Sequence, residues 1–308
     1  DAAVSAAAPD AVAYVEQSFN DQGVYAVRFW RAGAWRIVLV DDWMPEGPDG
    51  ELLFARPPGK HAEVWCLIAE KAYAKLNGGY ANIVGGTTEL AIEDMCQAVP
   101  FVHDVGVGAK LSGAFATSDA TGADACREAL WAYLYRLRHS EISLLGVSWQ
   151  AQPGEARATG DRAQKMGTFG NHAYGIVSMH EDVAGSRLVR LRNPHGHGGE
   201  WTGAWCDTDP RWQTLDAEAK ANSGWTDAGD GAVDDGMFYM SFEDFFAHWN
   251  ALSVARLLGD EHSNPYIAQL NPGWSEWTIA GEIFSDAAAS DSSISDKCRH
   301  ADQFQVVI

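Results

Sequence analysis

The sequence predicts an α+β protein of more than one small domain. Apolar residues at helical spacing mark separate helices near 63–77 and 124–139. Two pairs of β-rich runs, 24–30 with 35–40 and 172–180 with 187–193, are each joined by a short turn. The length of 308 residues suits two or three small domains better than one.

Residues 1–15 are alanine-rich. Residues 2–8 suit the end of one helix, and Pro9 suits the first turn of another, where its missing N–H is no loss. The first strand pair turns at Arg31-Ala32-Gly33-Ala34 and ends at Asp41-Asp42, before a Pro/Gly loop over 45–60. Trp65, Ile68, Ala69, Ala72 and Leu76 give the next helix its apolar stripe. Lys75 suits its last turn, and Gly78-Gly79 stop it. A shorter helix is expected over 88–98. The Gly-rich stretch 106–122 reads as a linker or domain boundary. Asp124 is the expected N-cap of a third helix with Leu130, Leu134 and Leu137 on one face, and Arg136, Arg138 and His139 suit its C-terminal dipole. A strand over 142–149 and a loop over 150–170 follow. The second strand pair turns over 181–186. The Trp-, Asp- and Gly-rich stretch 200–235 is expected to be irregular. Residues 238–240 read as strand, and Ser241 with Asp244 as the capping box of a helix. Past 258, runs 274–283 and 304–308 read as strands around a Ser/Asp/Ala-rich stretch.

Composition narrows the function classes. Hydrophobic residues make up 46% and charged residues 21%, enough for a sizeable core. The longest apolar runs are strand-length, far short of the ~20 residues of a membrane span. A net charge of −20 repels phosphates and argues against a nucleic-acid partner. It would attract divalent cations where carboxylates cluster, although solubility alone also accounts for it. The five cysteines are odd in number and form no CxxC pair, so neither a disulfide framework nor a zinc finger is expected and a reducing compartment is. His195-Gly196-His197 is too small a group to argue for zinc. The first fifteen residues lack the basic start of a signal peptide, and a chain that opens on Asp1 reads as an excerpt or a processed piece.

A Cys or Ser hydrolase needs a histidine base and a third group that fixes its tautomer. If the second strand pair turns about 182–183, His172 and Asn193 face each other, with Cβ atoms roughly 4.5–5.5 Å apart. Ten histidines are present, so a purely structural His172 is the competing reading.

Longer motifs surround this pair. Gly170-Asn171-His172-Ala173-Tyr174-Gly175 resembles the stretch around the base of the calpains, and Leu188-Val189-Arg190-Leu191-Arg192-Asn193-Pro194 resembles the strand that ends in their catalytic Asn. Glu200-Trp201-Thr202-Gly203-Ala204-Trp205 and Asp235-Gly236-Met237-Phe238-Tyr239-Met240-Ser241-Phe242 are similar to two further calpain motifs. Upstream, Glu70-Lys71-Ala72-Tyr73-Ala74-Lys75-Leu76 and Gly85-Gly86-Thr87-Thr88-Glu89 match the other half of that core. The resemblance runs in order from about residue 2 to residue 258.

It implies a two-lobed, papain-like protease core: a helical first lobe over 1–105, a β-rich second lobe over 106–259 with His172 as general base and acid and Asn193 as its orienting partner, and the incomplete start of a β-sandwich over 260–308. It further implies an intracellular, cytoplasmic, calcium-dependent cysteine endopeptidase acting on protein substrates, with more domains in the parent chain. The family's nucleophilic cysteine would fall a few residues before Asp1, so the chain as written is expected to be inactive. Cys66 beside Trp65, and Cys126 in a first helical turn, read as incidental thiols. Where the family has Trp after the Asn-Pro pair this sequence has His195, which shields the His–Asn contact less well. For calcium, the resemblance assigns Glu63 to a first-lobe site, and Glu200, Asp207, Asp235 and the carbonyl of Val233 to a second-lobe site. Met237 stands where a further glutamate is expected, which weakens that site. The alternative class is a non-catalytic calpain-like module that binds calcium or partners. A carbohydrate binder, suggested by 13 Trp, fits less well because Trp30, Trp65, Trp201 and Trp205 fall at core positions of the family.

Overall fold

The computed structural model describes residues 23–55, 64–107, 115–117, 120–140, 143–150, 164–226 and 234–257. It begins with an antiparallel hairpin of β1 (Val24–Arg31) and β2 (Ala34–Asp41). Ala32 and Gly33 turn it with φ of 54° and 74°, the pair of left-handed residues that matches strand twist. Strand alternation buries Val27 and Phe29 on β1 and Val38 and Val40 on β2. They pack on Ile68 and Ala72 of α1 (Trp65–Leu76) and on Ile92 and Met95 of α2 (Thr88–Cys96). Full burial of such a Leu, Ile or Phe side chain contributes about 1.5–3 kcal/mol. A polar clamp closes this layer: Arg31 Nε donates to Asp94 Oδ1 at 2.8 Å, and the Tyr73 hydroxyl donates to Asp94 Oδ2 at 3.0 Å.

The rest is built on a seven-stranded sheet. Its strands are β3 (Ala98–Val107), β4 (Phe115–Thr117), β5 (Ser143–Ser148), β8 (Tyr174–Val183), β9 (Ser186–Arg192), β10 (Met237–Ser241) and β11 (Ala251–Leu257), in the order β10-β9-β8-β5-β11-β3-β4. All neighbours are antiparallel except β3 and β4. A small ribbon of β6 (Gln164–Lys165) and β7 (Thr168–Phe169) stands apart. Leu130, Trp131, Leu134 and Leu137 of α3 (Ala120–His139) pack with sheet residues Leu145, Val147, Ile176, Val189 and Leu191. Short helices α4 (Arg211–Thr214), α5 (Ala217–Ser223) and α6 (Phe242–His248) complete the description. The first core reaches the sheet through Ala98, Leu144, Ala255 and Leu257, which ties the hairpin layer to the central strands. No helix among the described residues is long and apolar enough to cross a membrane.

The α+β class is as expected, and four details differ. Helix α3 starts at Ala120, so Asp124 lies inside it and pairs with Arg127 rather than capping it. β3 and β11, an antiparallel pair next to the β4 edge, are not evident in the sequence: β3 carries Pro100, which cannot donate to a ladder, and Gly106. The helix expected over 88–98 ends at Cys96, because β3 already begins at Ala98. The stretch 200–235 is partly helical, since the Asp216 side chain accepts from Ala219 N and starts α5. The Ser241 cap of α6 is present, with Asp244 N donating to Ser241 Oγ at 3.0 Å. The tail 260–308 lies outside the described residues.

Candidate active site

His172 stands two residues before β8, and Asn193 directly follows β9. The hairpin between them turns at Ala184 and Gly185, both at positive φ, with Val183 opposite Ser186. The turn therefore lies about two residues beyond the expected centre. Two irregularities, Ile176/Ser178 and His180/Val183, each put an extra residue on β8, and the site end of the ladder pairs Gly175 with Arg192. Extending that register places Tyr174 across from Asn193 and His172 across from His195. His172 and Asn193 are thus diagonal rather than opposed, yet His172 Nε2 lies 2.8 Å from Asn193 Oδ1. The ring of His195 lies flat on that of His172, with centroids 4.5 Å apart and planes 4° apart. Sequence reasoning found the His–Asn pair and missed this stack.

Asn193 is fully buried, and its orientation is set by its own donors. Nδ2 donates to Gly198 O at 2.5 Å and weakly to His197 O at 3.4 Å, so Oδ1 faces His172 and also accepts the His195 N–H at 3.1 Å. An oxygen at that position makes the His172 Nε2 atom the donor. Nδ1 is then the ring atom that can take and return a proton. The loop closes tightly around this amide: Gly199 has φ of 64°, and a Cβ there would lie 2.4 Å from the Phe169 ring and 2.9 Å from Asn193 Nδ2. Tyr174 donates its hydroxyl to Gly199 O at 2.9 Å and sets its ring edge-on to His172, with centroids 5.1 Å apart.

A buried knot supports the segment before His172. The Thr168 hydroxyl donates to Lys165 O at 2.9 Å and lies 2.9 Å from Trp149 Nε1 and 2.7 Å from His248 Nε2. With its proton so committed, it accepts from both rings, which makes His248 a neutral Nε2–H imidazole. Burial, with Lys165 nearby, holds the His248 pKa down to about 3. The Trp149 ring presses on Gly170, where a Cβ would lie 2.7 Å from it, and Trp149 O accepts from Asn171 N at 2.9 Å. None of this was apparent in the sequence, because these four residues are spread over a hundred positions.

A cavity of about 650 Å³ opens beside the site, between Ala173, Tyr174, Gly175 and Pro194 on the sheet side and Trp30, Tyr73, Gly85 and Gly86 on the other. Of the described cysteines, Cys96 is buried, and burial pushes its thiol up to about 12, far from a thiolate at neutral pH.

The acidic residues meet on the far side of the Asn193 loop. Glu200 Oε1 accepts from Gly236 N at 2.7 Å, Asp234 Oδ1 from Gly198 N at 2.5 Å, and Asp235 Oδ1 from Met237 N at 2.8 Å. Burial, and then the neighbouring Asp234 and Asp235, push the Glu200 carboxyl up to about 7. Of the expected calcium ligands, Glu200 and Asp235 are therefore neighbours, and Asp234 joins them unanticipated. Asp207 follows the left-handed Trp205, while Glu63 and Val233 lie outside the described residues. These donors are all oxygen, as calcium requires, but calcium takes six to eight. Among the described residues no three His, Cys, Asp or Glu side chains are gathered closely enough to hold an ion. The described part does not by itself make a calcium cage.

Comparison with known proteins agrees with this geometry. A family model described as calpain family cysteine protease matches residues 3–256. The chain is 31% identical over 274 residues to Calpain-A of Drosophila melanogaster, covering 86% of this chain and 29% of that protein. It is 32% identical over 279 residues to Calpain-8 of Mus musculus, covering 86% and 35%. With the Calpain-2 catalytic subunit of Rattus norvegicus the identity is 30% over 280 residues, covering 87% and 35%. The chain thus spans about a third of the length of these relatives. With a family match over most of its length, the chain belongs to the calpain family of cysteine proteases.

Proposed function

We propose that the parent protein hydrolyses peptide bonds in protein substrates with a Cys-His-Asn site whose base is His172. The observation that carries this reading is the 2.8 Å contact from His172 Nε2 to an Asn193 oxygen fixed by its own buried amide. Asn193 holds the imidazole in one tautomer, and Nδ1 takes the proton of a cysteine thiol. The thiolate attacks the peptide carbonyl, and the C–N bond breaks as Nδ1–H protonates the leaving amine. Water then releases the acyl group, with His172 taking the proton from the water. An extended peptide would lie along the cavity beside Ala173 and Pro194.

The proposal places the nucleophile upstream of Asp1 in the parent protein, so the chain as written does not turn over substrate. Calcium dependence and an intracellular setting belong to the same proposal. The neighbouring carboxylates at Glu200, Asp234 and Asp235 favour a hard cation, with Asp207 and the Val233 carbonyl as the other expected ligands of that second-lobe site, while Glu63 would serve a separate first-lobe site. No catalytic step is assigned to the ion. The test is casein cleavage by the chain as written and by the parent protein, with and without calcium and a thiol-alkylating reagent. Cleavage by the parent alone, lost on alkylation and on His172→Gln, is the expected result. Alkylation-sensitive cleavage by the isolated chain would overturn the placement of the nucleophile. A parent without activity under any condition would leave the non-catalytic module.

A further inference from the structure

The His195 ring covers one face of His172, and nothing in the proposed chemistry uses it. The stack is held in place by the backbone: His195 N–H donates to the same Asn193 oxygen that accepts from His172, at 3.1 Å and 2.8 Å. Ring position and ring orientation therefore share one anchor. The rings are parallel to within 4°, with centroids 4.5 Å apart, so protonating both would set two positive charges face to face. The oxygen they share is a neutral amide and offers no counter-charge.

We infer that His195 is a positioning residue that sets the proton affinity of His172, the two imidazoles together carrying one proton over the range in which the site works. This rests on the reading of His172 as the base. The other charged groups of the neighbourhood do not cancel the coupling. Arg192 and His197 flank Asn193 on its own strand and loop. From the opposite segment, Asp234 is engaged by the Gly198 N–H and Asp235 by the Met237 N–H, while Glu200 is engaged by the Gly236 N–H. These carboxylates are engaged by backbone N–H groups and leave the repulsion between the members of the pair in place. In the working state the proton sits on His172, and His195 is neutral. As the pH falls, a proton on His195 drives the His172 proton back to the thiolate. His195 thereby sets the acid limit of the site, through interacting titrations that belong to the pair.

The test is a nitrogen-15 NMR titration of the imidazoles in the 308-residue chain, which requires no nucleophile. In the unmodified chain His172 and His195 should each titrate in two steps. His195→Leu removes the second charge. His195→Trp also removes it, and offers a ring face that attracts the imidazolium. In both variants His172 should titrate in one step, with a midpoint about one pH unit higher, a tenfold gain in proton affinity. Near-UV circular dichroism reports whether each variant keeps its fold. A single-step His172 curve in the unmodified chain overturns the inference, even if neither variant folds. So does a midpoint left unchanged by a folded variant. Failure of the parent protein to cleave casein would remove the protease reading and leave this result standing.

Discussion

Replacing Glu200 with Gln tests whether the acidic corner behind Asn193 is strained by charge. Glu200 is pushed from the ordinary 4.5 to about 7, first by burial and then by Asp234 and Asp235. A carboxyl with a raised folded-state pKa binds its proton more tightly in the folded chain than in the unfolded one. Its contribution to stability is therefore fully present below about pH 4.5 and is lost as the pH rises through about 7. A gap of about 2.5 pH units at about 1.4 kcal/mol each would be about 3.5 kcal/mol for an enclosed group. Glu200 is half-buried, so solvent screening reduces this to about 1.5 kcal/mol. Glutamine keeps the oxygen that accepts from Gly236 N and mimics the protonated acid. Urea unfolding followed by tryptophan fluorescence in EDTA should give equal stabilities for both chains at pH 4.5. At pH 8 the Gln chain should be more stable by about 1.5 kcal/mol. A difference that does not change with pH would refute the charge argument, and a less stable Gln chain at pH 8 would reverse it.

Other outcomes can be checked by similar means. Calcium at about 1 mM should raise the melting temperature of the unmodified chain at pH 8 more than that of Glu200→Gln, because the ion would take up the crowded charge. Asn193→Ala should cost about 2–4 kcal/mol in urea unfolding, since it removes a fully buried side chain that bonds the Gly198 carbonyl and the His195 N–H. Thr168→Val should cost about 2–3 kcal/mol, because the Trp149 and His248 donors both lose their acceptor, and Thr168→Ser should restore most of it. Gly199→Ala should lower stability by about 2–3 kcal/mol, as its Cβ meets the Phe169 ring in a left-handed backbone.

What the sequence makes legible follows from the range of each interaction. The β1–β2 hairpin and the α6 cap rest on residues a few positions apart, and Ala32-Gly33 or Ser241 with Asp244 announce them. The motif around His172 and Asn193 marks the residues of the site. Their geometry is less visible, because it depends on two extra residues in β8 that no local pattern marks. β3 and β11 are hidden for a related reason. They pair with each other across some 150 positions, which no local pattern marks, and Pro100 is tolerated in β3 because β4 pairs only with Val105–Val107 and leaves Pro100 a ladder partner on one side alone. The His195 stack could have been suspected, since a His in place of the family's Trp beside the base puts a ring at the same position.

The bulges also explain why the site forms without help from a substrate. Counted from the Val183–Ser186 pair at the turn, a strictly regular β8–β9 hairpin would put Ile176 across from Asn193 and His172 across from His197. The two extra residues on β8 bring His172 two positions closer, across from His195, and put Tyr174 across from Asn193. Asn193 lies two positions inside His195, with its backbone N–H on Gly236 O at 2.7 Å and its amide on the Gly198 carbonyl. The side chain cannot rotate without breaking its hydrogen bonds to the Gly198 carbonyl and the His195 N–H, each worth about 1 kcal/mol net and more when left unmade. The imidazole therefore has an acceptor in a fixed place at Nε2, and the proposed chemistry falls to Nδ1. That division of the ring depends on the position of Gly199 and Gly236, whose missing side chains let the loop fold over the amide. The same closeness that orients His172 brings His195 onto its face, so orientation and electrostatic coupling arise from one turn of backbone.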